Sequence, residues 1–227
     1  MYINQKRQWR TSKPGLLLQI LIVLLPPVFF LENLYLLLGI SCSLLLAWLM
    51  LRIQHKTWND VGLHKPEHLG RLLLITLIAT ATLLPLSHIV ISAVKILSGQ
   101  SPNLEAFEML RGNIAALAGG LVIAWIFGAF IEELLLRGFL LNTLYALLAK
   151  EGGSHWFPWT LAVFVTSIVT GIGHCYQGIV GMIGTGLIAL GFSGIYLMNR
   201  RNLWSCILAH GLYDTVGFIL VYMGIHS

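Results

Sequence analysis

The sequence has few charged residues and few cysteines, and both shortages narrow the classes of protein it can belong to. Charged residues occupy 10% of the 227 positions and hydrophobic residues 57%, whereas an ordinary soluble domain carries roughly 25% charged residues. This composition excludes a soluble enzyme. The three cysteines, Cys42, Cys175 and Cys206, form neither a CxxC pair nor a metal-ligand spacing. We interpret them as small hydrophobic residues.

The charges that are present indicate a membrane protein rather than a nucleic-acid-binding one. Fourteen basic and nine acidic residues give a net charge of +5, and the basic residues form short clusters between long apolar runs. Such clusters are typical of the loops that set membrane topology. We therefore expect the lipid bilayer as a partner and no nucleic acid. The length allows one compact bundle, so residues 1–227 are predicted to form a single integral membrane domain.

Apolar runs of about 20 residues predict the membrane-spanning helices. Six firm spans lie at about 15–31, 34–51, 72–97, 113–149, 157–175 and 203–225, and a seventh lies near 179–198. The fold class predicted is all-α, a polytopic bundle of six to seven transmembrane helices with eight as the upper limit. Basic clusters at 6–13, 52–71 and 200–201 fall on alternate loops. This pattern predicts a cytoplasmic N-terminus and, with seven spans, a C-terminus on the outer side.

The fourth predicted span contains the most informative charges. A charged group at mid-bilayer depth costs roughly 2.5–3.5 kcal/mol on insertion scales, yet Glu132, Glu133 and Arg137 all lie there. On an α-helix the i,i+4 spacing pairs Glu133 with Arg137, and Glu132 points about 100° away from that pair. A carboxyl group without a partner suits proton transfer. The structural alternative is an ion pair with a spare acid that locks helix packing. A straight helix from 113 to 148 would be about 50 Å long, so we expect a break near Gly128 or a projection beyond the bilayer.

Two further polar features lie in predicted spans. His174 ends the fifth one, and His210 with Asp214 forms an i,i+4 pair in the last one. Taken singly, each histidine is more typical of a hydrogen-bonded packing residue. Taken together, a carboxylate and one imidazole can bind and deprotonate a water, and a second imidazole can donate a hydrogen bond to the oxyanion formed on a peptide carbonyl.

These residues resemble the CAAX protease and bacteriocin-processing (CPBP) family, whose eukaryotic members are the type II CAAX prenyl endopeptidases. The resemblance covers residues 113–215, the predicted catalytic core, and rests on three ordered motifs. They are EExxxR at Glu132, Glu133 and Arg137, FxxxH ending at His174, and HxxxN/D at His210 and Asp214. The resemblance implies an intramembrane endopeptidase in which Glu132 and His174 activate water. It further implies that Glu133 and Arg137 support them, and that His210 and Asp214 line the oxyanion side.

The sequence departs from the family pattern at two positions. Thr170 replaces the usual Phe of the second motif, and Asp214 stands where many members have Asn. An ionised Asp cannot donate a hydrogen bond, so we expect Asp214 to orient His210. Simple hairpin topology places His174 near the outer end of its span and His210 about 12 Å from the cytoplasmic side. The two would not meet, and the glycines between 171 and 186 therefore predict a broken or re-entrant segment.

Several alternative functions stay open from the residues alone. Ser193 lies in a GxSG stretch that is typical of rhomboid serine proteases, and with His210 it could form a serine–histidine pair. His174, His210 and Glu132 could together hold a zinc ion, whereas the HxxEH spelling at 64–68 contains Pro66 and is interpreted as a loop. A non-catalytic immunity or chaperone-like member of the fold and a proton-coupled transporter are the remaining alternatives.

The function predicted is metal-free peptide hydrolysis by Glu/His-activated water. The substrate expected is a membrane-associated peptide or membrane protein. No cofactor is expected, with zinc as the alternative. The short loops favour a bacterial protein of the inner membrane.

Overall fold

The described residues, 11–29 and 35–225, form helices and connections without any β-strand in the computed structural model of the chain. The all-α prediction is thereby confirmed. Within these two ranges seven helices follow one another, and we number them α1 Lys13–Phe29, α2 Tyr35–Ile53, α3 Leu69–Ser98, α4 Ile114–Leu148, α5 Trp156–Gly173, α6 Gly178–Met198 and α7 Leu203–Tyr222. Short 3₁₀ turns lie at Asn59–Val61, Glu105–Leu110 and Cys175–Gln177.

Six of these helices, α2 to α7, are long and apolar enough to cross a membrane, and α1 is a shorter apolar helix of 17 residues. The chain is therefore an integral membrane protein. The count agrees with the predicted six to seven spans. Most of the basic cluster at 6–13 lies outside the described residues, and the cytoplasmic position of the N-terminus stays a prediction.

The chain divides into two units, the first formed by residues 1–65 and 134–166, the second by 66–133 and 167–227. In the first unit α1 and α2 pack together through buried polar contacts. Ser43 Oγ donates to the Val23 carbonyl at 2.6 Å, and Gln54 Nε2 donates to Gln19 Oε1 at 2.7 Å. These hydrogen bonds satisfy polar groups to which lipid tails offer no hydrogen-bonding partner. The single domain over 1–227 stays a prediction.

The second unit contains α3, the first part of α4, the end of α5, and α6 and α7. Glycines bring its helices close together, as small residues do in membrane interfaces. A Cβ at Gly191 of α6 would lie 2.5 Å from Leu83 Cδ2 of α3, and one at Gly171 of α5 would lie 2.6 Å from the Met182 carbonyl of α6. At Gly171 the backbones of α5 and α6 therefore pack at a distance that no larger residue would allow.

The sequence predicted that α4 either breaks near Gly128 or projects beyond the bilayer, and the break is not observed. The helix is continuous from Ile114 to Leu148, but Ala124–Glu132 and Leu134–Leu140 are π-helical. A π-helix closes i→i+5 hydrogen bonds and usually occurs as a single turn, frequently at a functional site. Asn142 Nδ2 donates to the carbonyls of Arg137 and Gly138 at 2.9 and 2.8 Å. The Glu-Glu-Leu-Leu-Leu-Arg stretch thus lies in a π-helical segment that is longer than the usual single turn.

The glycine-rich stretch from 171 to 186 is interrupted at one place. Helix α5 ends at Gly173, the 3₁₀ turn Cys175–Gln177 follows, and α6 begins at Gly178, whose φ of +73° favours glycine. Beyond this turn the stretch is helical. The predicted discontinuity is therefore a tight turn between two helices, and His174 is the residue immediately before it.

Candidate active site

The π-helical part of α4 is held against α7 by Trp125. A Cβ at Gly211 would lie 2.5 to 2.6 Å from three atoms of the indole, so the ring packs directly on the α7 backbone. Trp125 Nε1 donates to Thr215 Oγ1 at 3.1 Å, and Thr215 Oγ1 donates to the Gly211 carbonyl at 2.6 Å. This contact sets the register between the two helices and brings the paired glutamates beside His210.

Glu133 contacts His210 directly. Glu133 Oε1 lies 2.8 Å from His210 Nδ1, with the glutamate fully buried and the histidine side chain 12% exposed. This contact joins residues 77 positions apart, and no sequence signal predicted it. Arg137, the predicted partner of Glu133, is fully buried and belongs to the first unit. The supporting role of both residues stays a prediction.

The second nitrogen of His210 faces Asp214. Nε2 lies 3.5 Å from Asp214 Oδ2, which is an ionic contact rather than a short hydrogen bond. Both ring nitrogens therefore face carboxylates, and both can donate only when the imidazole carries two protons. Phe192 stacks on the ring at 4.8 Å between centroids. His210 is thus fixed by Glu133, Asp214 and Phe192 together, whereas the sequence predicted an orienting role for Asp214 alone.

Gly128 makes room for the Asp214 carboxylate. A Cβ at position 128 would lie 3.1 Å from Asp214 Oδ2, closer than ordinary van der Waals contact. The absence of a side chain on α4 therefore allows the carboxylate to sit against its backbone. The sequence alone indicated no role for Gly128 beyond the expected break of the helix.

Glu132 lies on the same π-helical turn, half-buried, and forms no hydrogen bond with any of the described residues. Its carboxylate oxygens can therefore accept hydrogen bonds from a water.

His174 is held by a backbone carbonyl. Its Nδ1 lies 2.9 Å from the Thr170 carbonyl oxygen, and because a carbonyl only accepts, Nδ1 must donate. In the neutral ring Nε2 is then the acceptor. The Thr170 side chain, which departs from the family pattern, takes no part in this bond.

His174 and His210 form no direct hydrogen bond within the described ranges. His174 lies instead 5.8 Å from the Tyr176 ring, and Tyr176 packs on Phe107, which contacts Phe218 of α7. An aromatic cluster thus links His174 to the helix that carries His210.

Two alternative catalytic sites are not assembled in the structure. Among the described residues, no three His, Cys, Asp or Glu side chains are arranged to hold a metal ion, so zinc binding by Glu132, His174 and His210 would require movement. Ser193 is fully buried, and its Oγ has no hydrogen-bond partner in the described part of the chain. A Ser193–His210 nucleophile pair is therefore not formed.

The HxxEH spelling at 64–68 precedes α3 and lies in a connection, as predicted. Its Glu67 pairs with Arg200 at 2.6 Å on the protein surface. This stretch therefore does not form the helix that such a zinc motif needs.

Comparison with known protein families identified one match in this region. Residues 113–216 match the family model described as type II CAAX prenyl endopeptidase Rce1-like. This range contains all three motifs, agrees with the predicted core at 113–215, and confirms the predicted family resemblance. No significant match to the chain was found among curated proteins or among solved structures.

Proposed function

We propose, from the match of residues 113–216 to the type II CAAX prenyl endopeptidase Rce1-like family model, that the chain is an intramembrane peptidase. It hydrolyses a peptide bond in a membrane-associated peptide or protein. The observation that carries the proposal is the 2.8 Å contact between Glu133 and the imidazole of His210, which joins the first and the last motif. The neighbouring Glu132 carboxylate forms no side-chain hydrogen bond in the described ranges.

Glu132 and His174 activate the water in this proposal. The free carboxylate of Glu132 and the unprotonated Nε2 of His174 both accept hydrogen bonds, so a water between them is held and polarised. Glu132 takes a proton as the water oxygen attacks the substrate carbonyl carbon. The tetrahedral intermediate then expels the amine, which receives that proton. No covalent enzyme intermediate forms.

His210 stabilises the oxyanion of this intermediate. In the doubly protonated ring, Nδ1–H donates to the Glu133 carboxylate at 2.8 Å, and Nε2–H is the group that can donate to the developing charge. Asp214 lies 3.5 Å from that nitrogen and is close enough to orient the ring. The contact is longer than a strong hydrogen bond, so a substrate oxygen can replace it. The reaction as proposed uses only groups of this chain.

Glu132→Gln tests the proposal in the purified protein with a library of fluorogenic peptides. The amide keeps the size of the side chain and removes the base, so cleavage should fall by roughly 10²–10⁴-fold. Glu151→Gln, exposed in the connection between α4 and α5, is the matched control and should cleave like wild type. Wild-type turnover by Glu132→Gln would contradict the assignment.

A chelator extends the same experiment to the zinc alternative. The metal-free mechanism predicts no loss of activity after chelation and no gain after added zinc. Loss that zinc restores would replace the carboxylate mechanism by a metal-dependent one. We further propose a bacterial inner membrane location, as the short connections between helices suggest.

A further inference from the structure

Phe192 of α6 stacks on the imidazole of His210. The two ring centroids lie 4.8 Å apart, and the ring planes are inclined by only 22°. Phe192 is 4% exposed, and it lies in the GxSG stretch, where the sequence indicated only a serine nucleophile. The contact with the candidate site is therefore made by the residue before Ser193 and not by the serine itself.

Three residues of α7 face Phe192. Cys206, His210 and Tyr213 follow one another at i, i+4 and i+7, a spacing that places them on one side of the helix. Cys206 Sγ donates to the Phe192 carbonyl oxygen at 3.3 Å. The Tyr213 ring meets the Phe192 ring at 89°, with the centroids 6.2 Å apart, which is a favourable T-shaped arrangement. Phe192 is thus fixed at both its backbone and its ring by the helix that carries His210.

The stacked ring restrains His210 in a way that its hydrogen bond does not. Glu133 holds Nδ1 at 2.8 Å, but a single hydrogen bond leaves the imidazole free to tilt about the direction of that bond. Asp214 lies 3.5 Å from Nε2, and in the proposed reaction a substrate oxygen takes its place. The flat face of Phe192 still limits the tilt at that stage. The direction of Nε2–H during the reaction therefore depends on Phe192 as well as on Glu133.

The charge of the His210 ring strengthens this contact. Both ring nitrogens face carboxylates, and a ring that donates to both is an imidazolium. The face of an aromatic ring is electron-rich and attracts a cation within about 6 Å of its centroid, most strongly where water is excluded. Phe192 is buried and His210 is 12% exposed. A leucine at position 192 would fill much of the same space but would offer neither a flat face nor this attraction.

From these observations we propose that Phe192 is a positioning residue of the candidate site. Its aromatic face fixes the plane of the His210 imidazolium and keeps Nε2–H directed at the reacting carbonyl oxygen. Phe192 acts through His210 and not on the substrate. The role in catalysis rests on the proposed function, whereas the contact between the two rings is independent of it.

Phe192→Leu tests this role with and without His210. With a fluorogenic peptide that the wild-type protein cleaves, Phe192→Leu should lower kcat by about tenfold and leave KM unchanged. In a His210→Gln background the same substitution should lower kcat by less than about twofold, because the group that Phe192 positions is absent. Loss of kcat by the same factor in both backgrounds would overturn the proposal, and so would a rise in KM with kcat unchanged.

A second variant keeps the ring and changes only its electrons. Phe192→trifluorophenylalanine retains the flat shape but withdraws electron density from the face, so its attraction for the imidazolium is weaker. This variant should melt near the wild-type temperature and lower kcat by about twofold or more. Unchanged kcat would overturn the proposal. The variant gives this answer even if Phe192→Leu fails to fold.

Nuclear magnetic resonance of the histidine rings measures the contact without any substrate. The ring current of Phe192 should move the ring-proton resonances of His210 upfield in the wild-type protein relative to Phe192→Leu. The resonances of His210 are identified by their absence from His210→Gln. Equal positions in the two proteins would overturn the proposal whatever the activity. An upfield displacement in a wild-type protein that cleaves no peptide would contradict the proposed function alone.

Discussion

Replacing Gly211 with alanine tests whether the contact between α4 and α7 holds the site together. The new Cβ would lie 2.5 to 2.6 Å from three atoms of the Trp125 ring, so the indole must move and strain its hydrogen bond to Thr215. A Cβ added at Gly217, on the same helix, would meet no atom within 4 Å. Gly217→Ala is therefore the matched control, in which the change of backbone freedom is the same and the clash is absent.

The magnitude follows from the difference between these two variants. Overpacking a filled interface costs about 1–3 kcal/mol, and the helix propensity of alanine over glycine cancels in the comparison. For a chain of this length, roughly 2–4 °C of Tm corresponds to 1 kcal/mol. Gly211→Ala should thus melt roughly 2–12 °C below Gly217→Ala when thermal unfolding is followed in detergent.

A double variant identifies the clashing partner. In a Trp125→Leu background the ring is absent, so Gly211→Ala should cost less than it does alone, by a coupling energy of about 0.5–3 kcal/mol. Equal melting temperatures for Gly211→Ala and Gly217→Ala would refute the reasoning. So would a Gly211→Ala penalty that is the same with and without Trp125.

Three further predictions concern the site itself. Glu133→Gln removes one partner of a buried charge pair at a cost of about 3–5 kcal/mol. Its Tm should therefore fall well below that of Glu132→Gln, because Glu132 is only half-buried. Equal Tm values for the two variants would argue against different roles. Asp214→Asn exchanges a charged acceptor for a neutral one and should lower kcat/KM by about tenfold or less, whereas His210→Ala should lower it by about 10²–10³; the reverse order would make Asp214 the oxyanion donor. Ser193→Ala should retain activity, and labelling of Ser193 by a fluorophosphonate would instead support a serine mechanism.

The spans and the motif positions could be predicted because both are local properties of the sequence. A run of about 20 apolar residues must satisfy its own backbone in lipid and therefore forms a helix. The family resemblance likewise rested on spacings within single helices. These predictions agree with the helices observed and with the match over residues 113–216.

The contacts that build the site could not be predicted, because they depend on which helix faces which. The 2.8 Å contact between Glu133 and His210 joins two helices, and each residue alone had a simpler local interpretation. The π-helical form of 124–140 also changes which side chains share a face. Depth arithmetic on straight α-helices likewise could not show which side chains of α5 and α7 face each other.

The close approach of Gly128 to Asp214 has an evolutionary consequence. Because a Cβ at 128 would lie 3.1 Å from Asp214 Oδ2, the two positions share one small volume and are under joint selection. Related sequences that carry a larger residue at the position of Gly128 should compensate at the position of Asp214, by a shorter side chain or by a shift of the helix register. The identity of the polar residue in the last motif is then set partly by a backbone on another helix, and substitutions at the two positions should be found in pairs.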